Sequence, residues 1–232
     1  MDKLKQIFFD GDLSVGTTLN APKETSRRLS RVLRQKKGDS LSFFNGRDGL
    51  FEIEILDDKC TELYIKSILK PQKETPQITL MVAMVKKDAM DRIFRQATEF
   101  GVTDIIPLTS NYTVVDKLNE ERIQALLIEA AEQCERLTIP KLHNITYLET
   151  AVKASSGCVY WCAEHIGGKW GSDATTTSKD ALLIGPEGGF SPKERAWLND
   201  CINVTPVGLG DYILRSDTAV CAALSRFFDH FQ

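Results

Sequence analysis

The chain has 232 residues, 42% hydrophobic and 26% charged, and its 29 Lys and Arg against 32 Asp and Glu leave a net charge of −3. This composition is typical of a soluble globular protein with one large domain or two ordinary ones. No apolar run approaches the roughly eighteen residues of a membrane span, and the first residues lack an apolar signal core. We therefore expect neither membrane insertion nor secretion, and the expected compartment is the cytoplasm.

Six cysteines are scattered through apolar segments, and we interpret them as free thiols because a chain of this size does not need disulfides for stability. Cys158, Cys162 and His165 form the one cluster that resembles a metal site. Its spacing is unusual, and a structural zinc site would need a fourth ligand. We therefore expect no metal.

Residues 1–70 are predicted to form a small β-rich domain with one helix. Turn dipeptides such as Asn45-Gly46 and Asp48-Gly49 separate short apolar or alternating runs, as in β-hairpins. The predicted strands are Gln6–Phe9, Ser40–Phe44, Leu50–Leu56 and Glu62–Ile68. This pattern predicts a small barrel.

The helix of this domain is predicted from Lys23 to Arg34, with Leu29, Val32 and Leu33 on its inner face. Residues 23–37 hold seven Lys and Arg against Glu24 alone, a local charge of +6. Such a stripe is the pattern of a phosphate-binding surface, although a solvated helix face is the alternative. The predicted RNA-binding residues are Arg27, Arg28, Arg31, Arg34, Lys36 and Lys37.

Residues 71–76 are polar and flanked by prolines, so they are predicted to link this domain to a second one over residues 77–232. Its first three elements, Ile78–Val85, Asp88–Phe100 and Thr103–Leu108, make a βαβ unit and predict a parallel sheet. A long helix follows, capped by Asn119, carrying Leu137 on its apolar stripe and ending at Pro140. The polar residues Glu129, Glu132, Glu135 and Arg136 are interpreted as its solvated face. Further elements are a weak segment at 145–147, a strand at Cys158–Ala163, a loop at Gly167–Lys179 and a final helix at Asp217–Phe231.

Two glycine loops follow buried strands near the C-terminus. Ala181–Ile184 leads into Gly185, Gly188 and Gly189, and Ser191 with Glu194 and Pro192 predicts a capping box that opens a helix. A second short strand, Asn203–Val207, leads into Gly208 and Gly210. A tight turn is one interpretation of each loop, but two adjacent strand ends with glycine loops favour a shared ligand pocket. Neither loop has the pattern of a P-loop or a dinucleotide turn.

These loops carry a family resemblance. The run Ile184-Gly-Pro-Glu-Gly-Gly-Phe-Ser191 with Glu194, followed by Leu209-Gly210, Ile213-Leu-Arg215 and Thr218-Ala219, resembles the paired signature of the RsmE family of ribosomal RNA methyltransferases. Weaker similarity lies in Gln96–Val102 and Glu129–Arg136. Two positions depart from the family pattern: Asp217 replaces a glutamate, and Asp211 stands where a basic residue is common.

The resemblance implies an α/β fold with a C-terminal SPOUT-type parallel sheet, a deep trefoil knot and a small N-terminal PUA-like β-barrel. It also implies homodimers, S-adenosyl-L-methionine as cofactor, and methylation of N3 of a uridine in 16S rRNA, free or in the small ribosomal subunit. The apolar face of the final helix, with Phe227 and Phe228, is then a candidate dimer interface as well as a candidate core.

Glycine loops suit the adenine and ribose of such a cofactor, so the expected cofactor residues are Leu108, Thr109, Ser110, Gly185, Pro186, Glu187, Gly188, Gly189, Leu209, Gly210, Ile213 and Leu214. Arg215 is the expected catalytic cation, binding a phosphate or stabilising charge on the uracil, unless it pairs with Asp211 or Asp217. Glu187 is a second catalytic candidate, as a base or a hydrogen-bond acceptor. The alternative functions are a non-catalytic rRNA-binding protein and a small-molecule methyltransferase.

Overall fold

The computed structural model describes residues 4–113, 115, 117–163 and 179–229. The chain divides into two compact units: unit 1 is Met1–Glu74 with Ala131–Thr138, and unit 2 is Thr75–Ala130 with Ile139–Gln232. Among the described residues, none of the helices has both the length and the apolar character needed to cross a bilayer.

Unit 1 contains a curled five-stranded sheet in the order β1-β3-β4-β5-β2, in which β1 and β3 are parallel and the other pairs antiparallel. Its strands are β1 (Gln6–Phe8), β2 (Thr18–Asn20), β3 (Ser40–Phe44), β4 (Gly49–Ile55) and β5 (Glu62–Pro71). The alternating burial of β4 places Ile53 and Ile55 in the core, where Phe9 stacks on Phe43 at 5.0 Å. Two register shifts between β4 and β5 increase the local twist, which curls the sheet. The predicted barrel-like domain is confirmed, although the sequence pattern missed β2.

The basic helix of unit 1 is shorter and less regular than predicted. An α-helix, α1 (Lys23–Arg27), continues as a π-helical turn at Arg28–Val32, in which the Leu33 amide donates to the Arg28 carbonyl. Leu29 is fully buried, as predicted, but Val32 is 70% exposed. The prediction that Val32 faces inward was wrong because the wider π turn rotates it away from the face that Leu29 occupies.

Segment 131–138 packs within unit 1 through polar contacts. The guanidinium of Arg28 binds both carboxylate oxygens of Glu132, with Nη1 2.8 Å from Oε1. The Phe8 amide donates to the same Oε1 at 3.0 Å, and Gln6 Nε2 donates to the Arg136 carbonyl. The side chain of Glu132 is only 9% exposed, and burial lowers the pKa of Arg136 to about 10. The interpretation of Glu132 and Arg136 as a solvated face was therefore wrong.

Unit 2 is built on a seven-stranded sheet, parallel throughout, in the order β12-β10-β11-β6-β7-β8, with β9 also paired to β7. Its strands are β6 (Thr79–Ala83), β7 (Asp104–Thr109), β8 (Lys141–Leu142), β9 (Thr146–Tyr147), β10 (Val159–Cys162), β11 (Ala181–Ile184) and β12 (Val204–Val207). The remaining helices are α2 (Lys87–Glu99), α3 (Glu120–Cys134), α4 (Leu148–Ala154), α5 (Pro192–Asp200) and α6 (Ser216–Asp229). The predicted α/β fold with a parallel sheet is confirmed.

Apolar helix faces cover this sheet. Ile93 and Phe94 of α2 and Phe227 of α6 are fully buried in one core, and Phe227 packs edge-on against Tyr160 of β10. Gly101 ends the turn after α2 with a φ of 79°, as its position predicts. Because Phe227 belongs to this core, its apolar character is explained without a dimer interface.

Several boundaries differ from the sequence predictions. Helix α3 ends at Cys134, so Leu137 lies outside it, and α4 was not predicted. Pro71, expected in the linker, pairs with Gly49 as the last residue of β5. Residues 167–178 of the predicted loop and Phe231 lie outside the described residues. The deep knot stays a prediction.

The Arg28–Glu132 pair is expected to stabilise unit 1. Replacing Glu132 by Ala leaves the Phe8 amide without its acceptor and removes the partner of Arg28, so the free energy of unfolding should fall by about 2 kcal/mol. Glu129→Ala, an exposed position on the same helix, is the matched control and should change it by less than about 0.5 kcal/mol. Chemical denaturation measures both, and equal effects would contradict a structural role for Glu132.

Candidate active site

Three loops meet at the carboxyl edge of the parallel sheet. Cys162 at the end of β10 is in register with Ile184 of β11 and with Val207 of β12, so these strands end at the same level. The chain then enters the two glycine loops, and the loop after β7 joins them at the same edge. Ligands of open α/β sheets bind at this edge, as the sequence pattern predicted.

The loop after β11 is fixed by the start of α5. Ser191 caps the helix and Glu194 accepts a hydrogen bond from the Ser191 amide, which confirms the predicted capping box with Pro192 in the first turn. The loop after β7 binds to the same cap. The Asn111 amide donates to Glu194 Oε1 at 2.8 Å, and Asn111 Nδ2 donates to Ser191 Oγ at 2.9 Å. One capping box thus holds two loops.

The loop after β12 is fixed from α6. Arg226 donates from Nη1 to the Gly208 carbonyl at 2.8 Å and from Nη2 to the Leu209 carbonyl at 3.3 Å. Ser216, at the start of α6, donates to the Gly185 carbonyl at 3.2 Å and so links the two glycine loops. Sequence reasoning missed both residues, because a serine or arginine on a helix carries no signal of which carbonyl it will reach.

A cavity of about 350 Å³ lies between these loops. Its wall combines apolar side chains, glycine backbone and a few polar groups, including Arg195 and Asn199 one turn apart on α5. The lining residues are Trp161, Cys162, Ala163, Ile184, Gly185, Pro186, Gly189, Phe190, Arg195, Asn199, Leu209, Gly210, Asp211, Tyr212, Ile213, Leu214, Ser216 and Ala219. This volume is within the range of small-molecule sites, about 300 to 1,000 Å³.

The cavity brings together seven of the twelve residues expected to bind the cofactor: Gly185, Pro186, Gly189, Leu209, Gly210, Ile213 and Leu214. The other five, Leu108, Thr109, Ser110, Glu187 and Gly188, are not part of its lining. Leu108 is fully buried in the core, whereas Glu187 and Gly188 are exposed beside the cavity. A Cβ on Gly188 would lie 3.8 Å from atoms of Tyr112, so this glycine faces that side chain.

Arg215, the catalytic candidate, is an exposed residue between cavity-lining Leu214 and Ser216. Among the described residues it forms no ion pair with Asp211 or Asp217, which was its alternative interpretation. Asp217 instead pairs with Arg92 of α2, with Nε 2.6 Å from Oδ2. The hydrogen bond from Arg92 lowers the pKa of Asp217, so this carboxylate is ionised at neutral pH. The charge of Arg215 is thus available to a ligand.

The cysteines are free thiols, as interpreted from the sequence. Burial raises the pKa of Cys162, in the cavity wall, to about 12, which favours the protonated thiol. Cys158 contacts Thr205 Oγ1 at 3.2 Å, while His165 lies outside the described residues. Within the part of the chain that the structure describes, no group of three or more His, Cys, Asp and Glu side chains is placed to hold a metal ion.

Comparison with known proteins places this architecture among RNA-modifying enzymes. The family model of the RNA methyltransferase domain matches residues 72–227. A ribosomal RNA small subunit methyltransferase E from Rickettsia conorii is 34% identical over 206 residues, 85% of this chain and 84% of that protein. A methyltransferase structure from Legionella pneumophila with bound SAM has a TM-score of 0.88 and 29% identity, covering 98% of both chains. A ribosomal RNA small subunit methyltransferase E from Neisseria gonorrhoeae bound to S-adenosyl methionine also has a TM-score of 0.88, with 25% identity and 97% coverage of both chains.

Proposed function

The chain belongs to the family of ribosomal RNA small subunit methyltransferases E, and we propose that it transfers a methyl group from S-adenosyl-L-methionine to small-subunit rRNA. The observation that carries this proposal is the cavity formed by both glycine loops at the carboxyl edge of the sheet. The family signature residues and the cavity wall coincide at Gly185, Gly189 and Leu209. A non-catalytic RNA-binding protein would not require this cavity.

The residues of the cavity fit the cofactor. The glycines at residues 185, 189 and 210 let an adenosine approach the loops without a Cβ in the way, and Leu214 and Ile184 offer apolar surface. The lining also includes Arg195 and Asp211, which match the carboxylate and the ammonium of a methionine group in charge. When bound, S-adenosylmethionine supplies an electrophilic methyl group.

The finer proposal is methylation at N3 of a uridine in 16S rRNA, which the resemblance implies. A uracil N3 must lose its proton to accept a methyl group, and negative charge then develops on the neighbouring carbonyl oxygens. Arg215 is exposed at the cavity rim, and its guanidinium is suited to stabilise this charge or to bind the phosphate of the target nucleotide. Glu187, exposed on the neighbouring loop, is our candidate to accept the proton.

The two departures from the family pattern are compatible with activity. Asp217 retains an ion pair, with Arg92, and its shorter side chain therefore still links α6 to α2. Asp211 lies in the cavity wall, where a carboxylate favours a ligand ammonium group. For this reason we favour catalysis over the non-catalytic alternative, and the basic surface of unit 1 disfavours a small-molecule methyltransferase.

We propose that unit 1 binds the RNA. It contains the PUA-like domain that the sequence predicts at residues 1–70. Arg27, Arg31, Arg34, Lys36 and Lys37 are exposed and form no ion pair among the described residues, so their charges are available to phosphates. Arg28 is left out of this surface because it is bound to Glu132. Our proposed surface therefore contains five of the six predicted residues.

We also propose a homodimer, acting in the cytoplasm on 16S rRNA or on the small subunit. Tyr212 and Ile213 at the cavity rim are 87% and 62% exposed, and a second copy is a suitable cover for such apolar groups. Phe228 remains a candidate at the dimer interface, whereas Phe227 is buried in the core. The six free thiols fit a reducing compartment.

The cofactor assignment is tested at Gly189, which has a φ of 66° in the cavity wall. Gly189→Ala should weaken S-adenosylmethionine binding, measured by calorimetry, by about tenfold or more, because strain of about 1 to 2 kcal/mol displaces the loop. Gly16→Ala is the control: Gly16, in unit 1, has a φ of 84°, so its strain is similar. Equal cofactor affinity in both variants would remove this loop from the site.

The RNA surface is tested by converting Arg27, Arg31 and Arg34 together to Gln. RNA affinity should fall, and the slope of log K against log salt should flatten by about 0.7 to 0.9 for each phosphate that the variant no longer neutralises. Cofactor affinity should not change. Lys70→Gln, an exposed charge near the far end of β5 from the strand pairing with β2, should leave the slope unchanged. If the triple variant binds RNA with the original slope, then these three arginines do not contact RNA phosphates.

The role of Arg215 is tested by Arg215→Ala, which should reduce kcat for rRNA methylation by about a hundredfold, the scale of losing one charge-stabilising group. Affinity for S-adenosylmethionine and protein stability should stay unchanged, since the Arg215 side chain has no partner among the described residues. Arg215→Lys keeps the charge and should recover part of the rate. Normal turnover in Arg215→Ala would refute the assignment.

A further inference from the structure

Tyr112 is an exposed aromatic residue that is not part of the lining of the cofactor cavity. Its side chain is 50% exposed, although it lies in a loop at the carboxyl edge of the sheet, three residues beyond the end of β7. Exposed aromatic rings next to a catalytic pocket are suited to binding flat ligands, because they offer a large contact area with few rotatable bonds. Its surroundings therefore determine what it can bind.

The loop that carries Tyr112 is held by hydrogen bonds of the residues on both sides of Tyr112. The Thr113 amide donates to the Ser110 carbonyl at 3.0 Å, and the Ser110 amide donates to Thr113 Oγ1 at 2.9 Å, so the loop closes on itself. Asn111, the preceding residue, makes the two hydrogen bonds to Ser191 and Glu194 described above. A ring on such a loop loses little conformational freedom on binding a ligand.

The ring also lies beside the reactive edge of the cavity. Tyr112 Cβ and Cδ2 are 3.8 Å from the place of a Cβ on Gly188, so the ring packs along the backbone of the loop after β11. Gly188 stands between Glu187, the candidate base, and Gly189, which lines the cavity. A planar group stacked on the outer face of the ring would thus lie next to the candidate base and the cavity mouth.

We propose that Tyr112 is the platform on which the unpaired acceptor uracil of the RNA stacks during methyl transfer. This inference rests on the proposed function. An enzyme that modifies a base edge must hold that base outside the RNA stack, and aromatic side chains commonly replace the lost stacking in RNA recognition. Stacking on one side leaves the N3 edge of the uracil open to the cofactor, which the geometry requires. Tyr112 is then a substrate-binding residue, whose aromatic face matters and whose hydroxyl does not.

The test uses the full-length enzyme and a 16S rRNA fragment in which the methylated uridine has been mapped with the unmodified protein. Tyr112→Ala should lower kcat/KM for this RNA by about tenfold to a hundredfold, the value of one base–aromatic stack. Tyr112→Phe and Tyr112→Trp should keep most of the activity, whereas Tyr112→Leu, which fills the same space without a π face, should not. Ile202→Ala is the surface control and should have no effect, because this exposed residue precedes β12 and so lies at the edge of the sheet opposite the cavity.

A second measurement separates stacking from a structural role. The affinity of Tyr112→Ala for the RNA should fall when the target uridine is present, but should equal that of the unmodified protein for an RNA with an abasic site at that position. The same loss on both RNAs, or full activity in Tyr112→Leu, would overturn the inference while leaving the proposed function in place. Absence of methyl transfer by the unmodified protein would instead refute the proposed function, and the inference with it.

Discussion

The hydrogen bond between Ser216 Oγ and the Gly185 carbonyl joins the two glycine loops, and the site depends on this connection. Parallel strands bring their carboxyl ends to one edge of the sheet, but alignment alone does not fix the loops that follow. Here the loop after β12 is held by Arg226, and the loops after β7 and β11 share the capping box of Ser191 and Glu194. Each of these three loops is therefore held by a neighbouring helix, which helps the cavity between them to keep its shape.

The start of α6 also determines which charged side chains are exposed beside the cavity. Asp217 is the second residue of α6, and its pairing with Arg92 leaves Arg215 as an exposed cation just before that helix. If Asp217 paired with Arg215 instead, the guanidinium would be neutralised where a reaction on RNA needs positive charge. Asp217 is therefore compatible with the proposed catalytic role of Arg215, because Asp217 is paired with Arg92 of α2.

Local signals made much of this fold predictable from the sequence. The capping box, the end of α2 at Gly101 and the buried strand Ala181–Ile184 each depend on residues within one turn or one strand, where sequence patterns are informative. Contacts between distant residues were not predictable, because Arg28 and Glu132 are separated by 104 positions and their charges also suit solvated helix faces. The cavity was predicted from its glycines, but Arg195 and Ser216 were missed since nothing local marks where their side chains point.

The π-helical turn at Arg28–Val32 divides one basic segment between the fold and the proposed RNA surface. A regular α-helix would place Leu29, Val32 and Leu33 on one inner face. The wider turn, closed by the hydrogen bond from the Leu33 amide to the Arg28 carbonyl, leaves Leu29 buried while Val32 turns outward with Arg31. Arg28 forms an ion pair with Glu132 within unit 1, and the Glu132 carboxylate neutralises the charge of Arg28. In our proposal, the field that an RNA phosphate meets is set by the five exposed cations around this turn, not by the full local charge that the sequence displays.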